Sequence, residues 1–344
     1  MISVDELTPR QHEILRLVVQ EYVGAGRAVA SQTLIERYPL RVSSATVRNE
    51  MAVLERLGLI EQLHTSAGRV PTDRGYRYYV EHFATQSSLP ANEQLMIRHQ
   101  FRQVETQLES WLELAASVLA GTARNVSLVT APRTTRPRLR HFELLQLQDR
   151  VALLIMVTQD SAVHQAMLHM PEDHTQTELG LLADVLNARL SGLAAEDVRT
   201  HLFLLTASEQ VVALQIAQAL ESLQHSERTD VHYEGIEHAL HQPEFAESDL
   251  IQGLLQLMRG GQLLTELLPQ MRSDDGMQIF IGAENESAGL RPFALVVSTY
   301  GVGDQVTGLL GILGPRRMPY GRSISSVRYM ARLMSDLMHD LYAN

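Results

Sequence analysis

An arginine and an asparagine stand side by side at positions 48 and 49, in a segment whose spacing is that of a short amphipathic helix. The guanidinium of Arg48 can bond guanine O6 and N7 as a fork, and the carboxamide of Asn49 can do the same to adenine N6 and N7. A small neighbour such as Ala45 lets a helix approach base edges closely. This pattern favours a helix that contacts DNA. The alternative is that the pair belongs to an ordinary solvated helix face.

The helix that positions this pair is indicated by its apolar residues. Val47, Met51 and Leu54 recur at i, i+4 and i+7, which predicts a buried stripe on the side opposite the pair. Ser43 or Ser44 can cap its first exposed N–H groups. A short, capped helix with its polar pair facing outward is therefore predicted.

The elements around this helix complete a motif. A capping box at Thr8 opens one upstream helix, and Ser31 is predicted to cap a second, shorter one. Downstream, a short strand, a turn-rich segment and Arg69 predict a hairpin whose polar tip can reach phosphate or the minor groove. This order is typical of a winged helix-turn-helix, which binds DNA or, alternatively, serves as a protein-interaction module. The predicted DNA-binding residues are Ser44, Ala45, Thr46, Arg48, Asn49, His64, Thr65, Ser66 and Arg69.

Charge is unevenly distributed along the 344 residues. The net charge is −11, yet residues 1–82 carry 10 arginines and 10 acidic residues, whereas the remaining 262 carry 19 and 30. All 29 basic residues are arginine. An acidic body repels polyanions, so only a local positive surface in the N-terminal segment could dock on DNA. Such binding should weaken strongly with salt.

Composition excludes several other classes. With no cysteine, the chain has no disulfide, thiolate metal site or cysteine nucleophile. No apolar run approaches the roughly 20 residues of a membrane span, and the N-terminus has acids where a leader would be basic. A cytoplasmic protein without membrane association is the resulting expectation.

The rest of the chain reads as alternating helices and strands. A polar linker at 84–91 precedes a long predicted helix at 92–120, and a hairpin with a turn at 148–150 follows. Strand-like segments return near 277–313 after a helix-rich block, in which 198–205 and 231–233 also look like strands. Strands on both sides of helices predict one sheet domain interrupted by an insertion.

Catalytic and metal motifs are absent. His164, His169 and His174 recur at a spacing that suits neither a helix nor a strand, and His238 and His241 lack a third ligand. The glycines near 301–303 do not match a dinucleotide loop. The arginines at 133–140 and the basic turn at 311–321 could bind an anion or simply pair with acidic neighbours. We expect no enzyme, no cofactor, no catalytic residues and no metal site.

Residues 43–80, SSATVRNEMAVLERLGLIEQLHTSAGRVPTDRGYRYYV, resemble the N-terminal signature of the heat-inducible transcription repressor family HrcA. Further segments resemble, in order, its middle and C-terminal signatures: 141–145, 186–192, 242–245, 281–285 and 311–320. The resemblance implies a GAF-like domain split by an inserted dimerisation domain. It also implies a homodimer that binds an inverted-repeat operator of chaperone genes, releases it on heat shock and is modulated by the chaperonin GroEL.

We therefore predict an α+β multidomain chain. Residues 1–83 form the winged helix-turn-helix, 92–170 with 271–344 the GAF-like α/β domain, and 171–270 the helix-rich dimerisation domain. The predicted function is negative regulation of heat-shock genes through double-stranded DNA. The alternative is a winged-helix regulator gated by a small molecule in the GAF-like domain.

Overall fold

The computed structural model describes residues 7–62, 68–85, 88–104, 107–134, 136–159, 163–224, 230–246, 248–271, 276–303 and 306–342. The chain forms two compact units. Unit 1 comprises residues 1–131, 230–301 and 308–344, and unit 2 comprises 132–229 and 302–307. Both mix helices with antiparallel strands, which confirms the predicted α+β multidomain architecture.

The helices are α1 (Pro9–Ala25), α2 (Ser31–Arg37), α3 (Ser44–Arg56), α4 (Asp73–Tyr79), α5 (Ala91–Gln103), α6 (Leu108–Ala123), α7 (Gln176–Leu190), α8 (Ala195–His201), α9 (Ala207–Gln224), α10 (Ile236–Leu240), α11 (Ser248–Met258), α12 (Gln262–Leu267) and α13 (Tyr320–Tyr342). The strands are β1 (Ile60–Gln62), β2 (Arg69–Pro71), β3 (Val126–Thr130), β4 (Arg133–Thr134), β5 (Leu139–Gln148), β6 (Val151–Thr158), β7 (Val163–His169), β8 (Val231–Glu234), β9 (Met277–Ile281), β10 (Phe293–Val302) and β11 (Val306–Pro315).

Helices α1 to α4 with the β1–β2 hairpin form the predicted winged helix. Helix α1 begins with the expected capping box, in which the Gln11 N–H donates to the Thr8 hydroxyl at 3.3 Å and the Thr8 N–H donates to the Gln11 side chain at 3.0 Å. It ends at Gly26, whose φ of 63° suits glycine. Ser31, predicted to cap α2, is instead its first residue, with Ala30 at the cap position.

The winged helix has its own apolar core. The predicted stripe of α3, Val47, Met51 and Leu54, is fully buried, and so are Ile14, Leu15 and Val18 of α1. Each such side chain contributes about 1.5–3 kcal/mol through burial. This core fixes α3 by its inner face and leaves the other face for solvent.

The predicted single helix at 92–120 is wrong, because two helices occupy this region. Val104 adopts an extended backbone, with φ −84° and ψ 147°, and separates α5 from α6. One continuous apolar face therefore cannot exist: Leu95 of α5 is 71% exposed, whereas Trp111 of α6 is buried.

The sheet of unit 1 has the strand order β8-β3-β11-β10-β9, and the pairs β8–β3, β3–β11 and β10–β9 are antiparallel. Strand β3 precedes residues 132–229 of unit 2, and the other four strands follow them. Helices α11 and α12 bury leucines against one face, among them Leu254 and Leu263. Helix α6 contacts both β3 and the terminal helix α13.

Unit 2 is a three-stranded antiparallel sheet, β5-β6-β7, with helices α7, α8 and α9 packed on one face. The hairpin predicted around 148–150 is present, and Arg150 takes a positive φ of 59° at its turn. Asn187 of α7 fixes the helix to β5, because its carboxamide bonds both the N–H and the carbonyl of Phe142, at 3.1 and 2.8 Å.

Two further expectations differ from the structure. Residues 198–205 are not a strand but lie in α8 and a short 3₁₀ turn, because the Asp197 carboxylate caps the helix start at the Ala194 N–H and Val198 is buried on one helical face. The predicted insertion at 171–270 overlaps unit 2 only over 171–229, because α11 and α12 pack on the sheet of unit 1. Unit 2 also includes β5 to β7 from the predicted GAF-like segment, because these strands pack with α7–α9. The assignment of GAF-like and dimerisation roles to these segments stays a prediction. Within the described residues, no helix is long and apolar enough to cross a membrane.

Candidate nucleic-acid interface

Helix α3 is positioned by its cap and by α2. The Ser43 hydroxyl accepts a hydrogen bond from the Thr46 N–H at 3.2 Å, so Ser43 is the cap and Ser44 the first helical residue. The hydroxyls of Ser44 and Ser31 lie 3.1 Å apart, and those of Ser43 and Thr46 lie 3.0 Å apart. Each of these hydroxyls retains capacity for another hydrogen bond, so roles for Ser44 and Thr46 on phosphate stay predictions.

The outward face of α3 carries the predicted base-reading pair. Ala45, Arg48, Asn49 and Arg56 are exposed, and with Ala52 they span an arc of about 100°. Within the described part of the chain, no hydrogen bond or ion pair engages Arg48 or Asn49. Their polar tips are thus available to a partner outside the protein, in the arrangement that major-groove recognition requires.

The ten arginines of residues 1–82 divide evenly by their contacts. Arg10, Arg16, Arg37, Arg69 and Arg77 each pair with a carboxylate. Arg27, Arg41, Arg48, Arg56 and Arg74 are exposed and form no ion pair with any described residue. Three of these five, Arg41, Arg48 and Arg56, lie three residues before α3, on its outward face and at its end.

The wing contains the predicted contact Arg69, and it is engaged inside the protein. Its Nε and Nη2 donate to one Glu55 carboxylate oxygen of α3, at 3.0 and 2.9 Å, and the Arg69 side chain is only 15% exposed. This pair ties β2 to α3. A contact between Arg69 and DNA would require the pair to open, and it stays a prediction. His64, Thr65 and Ser66 lie outside the described residues.

A dense joint attaches α4 to the sheet part of unit 1. The Arg77 guanidinium pairs with Glu284 and donates to the Ile279 carbonyl. The Asp73 carboxylate accepts from the Ala283 N–H at 2.9 Å and from Arg316 at 3.3 Å. The side-chain hydrogen bond to Glu284 raises the pKa of Arg77, which stays charged.

A cavity of about 500 Å³ lies beside this joint. Tyr76 lines it with Arg74 and Arg316, and the Tyr76 hydroxyl is buried without a hydrogen-bond partner in the described structure. Burial raises the pKa of Tyr76 well above its ordinary value, so the hydroxyl is a neutral donor and not a nucleophile.

Two family models match this chain. The model described as "Winged helix-turn-helix transcription repressor, HrcA DNA-binding" covers residues 6–82, and the model "HrcA protein C terminal domain" covers residues 109–324. The chain belongs to the HrcA family. It is accordingly a heat-inducible transcription repressor with a winged-helix DNA-binding domain, in a family of regulators and not of enzymes.

Relatives in the HrcA family are similar over nearly the whole chain. The "Heat-inducible transcription repressor HrcA" of Thermomicrobium roseum is 49% identical over 98% of this chain and 97% of its own length. The protein of the same name from Herpetosiphon aurantiacus is 42% identical over the same shares. A crystal structure described as a hypothetical protein covers 98% of this chain and 99% of its own, with a TM-score of 0.59 and 23% identity, which shows a shared fold.

Other candidate sites of this HrcA-family chain are structural where the contacts are known. In the arginine-rich segment 133–140, Arg136 faces Glu196 and Asp197 at 3.4 Å, and Arg138 donates to the Gly192 carbonyl at 2.8 Å. In the basic turn, Arg317 pairs with Glu244. These contacts match the interpretation as pairing within the protein.

Arg41 and Arg56 were missed by the sequence reasoning on this HrcA-family chain. Arg56 lies two turns beyond Arg48, and its place on the outward arc was available from the 100° spacing. That Arg56 forms no ion pair with a described residue could not be predicted, because the adjacent Glu55 pairs with Arg69 only when the wing has folded against α3.

Proposed function

We propose that Arg48 and Asn49 specify the bases of an inverted-repeat operator and that Ala45 permits their close approach. The observation that carries this proposal is the unpartnered, exposed pair on a helix whose opposite face is fully buried. Arg41 and Arg56 flank the pair and neutralise phosphates. Ser44, Thr46 and the wing residues His64, Thr65, Ser66 and Arg69 brace the duplex on either side.

Replacing Arg48 by alanine tests this assignment. A lost bidentate contact costs about 1–3 kcal/mol, so operator affinity should fall roughly 5- to 150-fold while affinity for scrambled DNA changes little. Fluorescence anisotropy with both duplexes measures the ratio. Arg98→Ala, which removes an exposed arginine of α5, is the matched control and should leave both affinities unchanged. An unaltered operator-to-scrambled ratio in the Arg48 variant would refute the base-reading role.

Salt dependence separates the flanking arginines from the reading pair. If Arg41 and Arg56 each neutralise one phosphate in both half-sites, four contacts give a slope of log affinity against log salt of roughly −3.6. Arg56→Ala should flatten that slope by about two units and leave the operator preference intact. A slope near zero in the unmodified protein would contradict phosphate contacts altogether.

We propose a homodimer, so that two α3 helices enter successive major grooves about 34–36 Å apart. The support comes from the sheet face of unit 2 that the helices leave uncovered. Leu145, Leu153 and Met167 are directly opposite one another across β5, β6 and β7, and Met167 is 67% exposed. An open apolar sheet face of this kind is typical of an interaction surface.

A charge on that face should separate the protomers. Met167→Glu should convert a dimer to a monomer in sedimentation equilibrium and weaken operator binding. Leu181→Glu is the matched control, because Leu181 of α7 is 62% exposed and lies on the other side of unit 2. Dimerisation that persists in the Met167 variant would assign the subunit contact to another surface.

The repressor is proposed to act in the cytoplasm on chaperone genes, with the chaperonin GroEL as a positive modulator. Family membership supports this assignment. A partner that favours the DNA-binding form raises its population, and heat shock removes that partner by supplying unfolded clients. Operator affinity of heat-treated protein, measured with and without added chaperonin, tests it. Affinity that ignores chaperonin would refute the modulation and leave the DNA-binding proposal standing.

A small molecule as the gating signal is the second candidate function. The cavity at the joint, about 500 Å³ with the unpartnered Tyr76 hydroxyl, is of ligand size. It lies between the winged helix and the sheet, where occupancy would alter their attachment. Thermal-shift screening of metabolites distinguishes small-molecule gating from chaperonin modulation. The Tyr76→Phe variant should not respond to a ligand that bonds the Tyr76 hydroxyl.

A further inference from the structure

Two glutamates of α6 and one histidine of β8 bring potential metal-donor atoms together in unit 1. Glu109 and Glu113 lie one helical turn apart, so their carboxylates share a face of α6. His232 reaches the same place from the edge strand of the sheet. One donor atom from each of the three side chains lies within 4.8 Å of the other two.

The spacing of these atoms matches a coordination sphere. Zn²⁺ binds imidazole nitrogen and carboxylate oxygen at about 2.0–2.2 Å in a tetrahedron, whose donor atoms are therefore about 3.4 Å apart. His232 Nε2 and Glu109 Oε1 are separated by 3.4 Å. The third donor needs to approach by at most about 1.4 Å, which the exposed Glu113 side chain can achieve by rotation.

A second observation concerns the imidazole itself. His232 Nε2 is shielded from solvent and accepts or donates no hydrogen bond within the described structure. His232 lines a groove of about 750 Å³ together with Glu113. Buried polar atoms are normally satisfied, and each exception requires an explanation. A ligand in this groove supplies one.

We propose that Glu109, Glu113 and His232 form a binding site for a divalent transition-metal ion. One imidazole with two carboxylates favours Zn²⁺, Co²⁺ or Mn²⁺, whereas Mg²⁺ and Ca²⁺ prefer oxygen donors alone. Three protein ligands leave at least one position for water.

Such an ion would link β8 to α6. Strand β8 is the edge of its sheet, paired only with β3 among the described strands. It begins where the chain returns to unit 1 after residue 229. An ion held jointly by α6 and β8 adds a tie at this re-entry point, and the site's occupancy does not depend on DNA binding.

Metal titration of the full chain tests the proposal. Protein freed of metal with a chelator is titrated with Zn²⁺ by calorimetry and with Co²⁺ by visible absorption, and Mg²⁺ serves as the comparison ion. We expect one saturable Zn²⁺ site per chain, a matching Co²⁺ spectrum and an upward shift of the thermal transition. His232→Ala and Glu113→Gln should each weaken that site at least tenfold.

The choice of variants keeps the result interpretable. Glu113 is exposed, so Glu113→Gln carries the test even if His232→Ala impairs folding. The matched control is His141→Ala, because His141 lies 2.7 Å from Glu143 in unit 2 but lacks a third ligand. The control should retain wild-type Zn²⁺ affinity. Absence of a saturable site, or a site whose affinity survives Glu113→Gln, would overturn the proposal.

Discussion

The ion pair between Arg69 of the wing and Glu55 of α3 determines whether the wing holds the DNA-contacting helix or touches DNA itself. Truncating either side chain to alanine removes the two hydrogen bonds that join them, at 3.0 and 2.9 Å. If the pair is structural, both variants should loosen the attachment of β2 to the rest of the winged helix. If Arg69 is a DNA contact, only the Arg69 variant should lose operator affinity.

The magnitude follows from burial. A hydrogen bond between charged groups contributes about 1.5–3 kcal/mol when shielded, and an exposed ion pair less than about 1. The Arg69 side chain is 15% exposed and that of Glu55 34%, so solvent screens part of the interaction. We expect each truncation to cost about 1–2 kcal/mol, and the double variant to cost about as much as either single one.

Hydrogen exchange provides a local assay. The N–H groups of Val29 and Arg69 donate to each other's carbonyls at 2.9 Å, so both report opening of β2. A loss of 1–2 kcal/mol should reduce their protection about 5- to 30-fold in either single variant. Strictly additive losses in the double variant would refute the coupling. Operator affinity retained in Glu55→Ala but lost in Arg69→Ala would instead establish Arg69 as a DNA contact.

Two further predictions concern the joint and unit 2. Gly282 has a φ of 54°, and a Cβ there would lie 2.2 Å from the Asp73 carboxylate. Gly282→Ala should therefore lower the thermal midpoint of unit 1. Gly276→Ala is the control and should leave the midpoint unchanged, because a Cβ at Gly276 would meet open space. The Thr206 N–H lowers the pKa of Glu209 below its ordinary 4.5, so its contribution to stability is complete above that pH and is lost as pH falls through the lowered pKa. Glu209→Gln should therefore flatten the acid limb of the urea stability profile between pH 5 and pH 3, and an unchanged limb would contradict this origin.

The local parts of the winged helix could be predicted from sequence because their signals are local. The Thr8 capping box, the glycine that ends α1 and the apolar stripe of α3 each act within a few residues. The same spacing placed Arg48 and Asn49 on the outward face. What it could not supply was the pairing state of the arginines, which depends on residues brought close only by folding.

Features that depend on long-range contacts could not be predicted from the sequence. No proline or glycine near Val104 indicates a helix end, so the sequence predicted one helix where α5 and α6 are separate. The grouping of β5–β7 with α7–α9 depends on side chains such as Asn187 bonding β5 from 45 residues away. His232 and its glutamate neighbours are separated by more than a hundred residues, so no spacing rule joins them.

The pairing of arginines explains how a neutral winged helix in an acidic chain can present a positive surface. The carboxylates of Glu50, Glu55 and Asp73 form ion pairs with Arg10, Arg69 and Arg316, respectively, so their charges are neutralised within unit 1. The five arginines that form no ion pair with any described residue are all exposed, and three of them lie along α3 or just before it. Equal numbers of acids and bases therefore do not give an electrically uniform surface. Since the pairs hold the helix and the unpaired groups face outward, the same residue type stabilises the fold and attracts the polyanion.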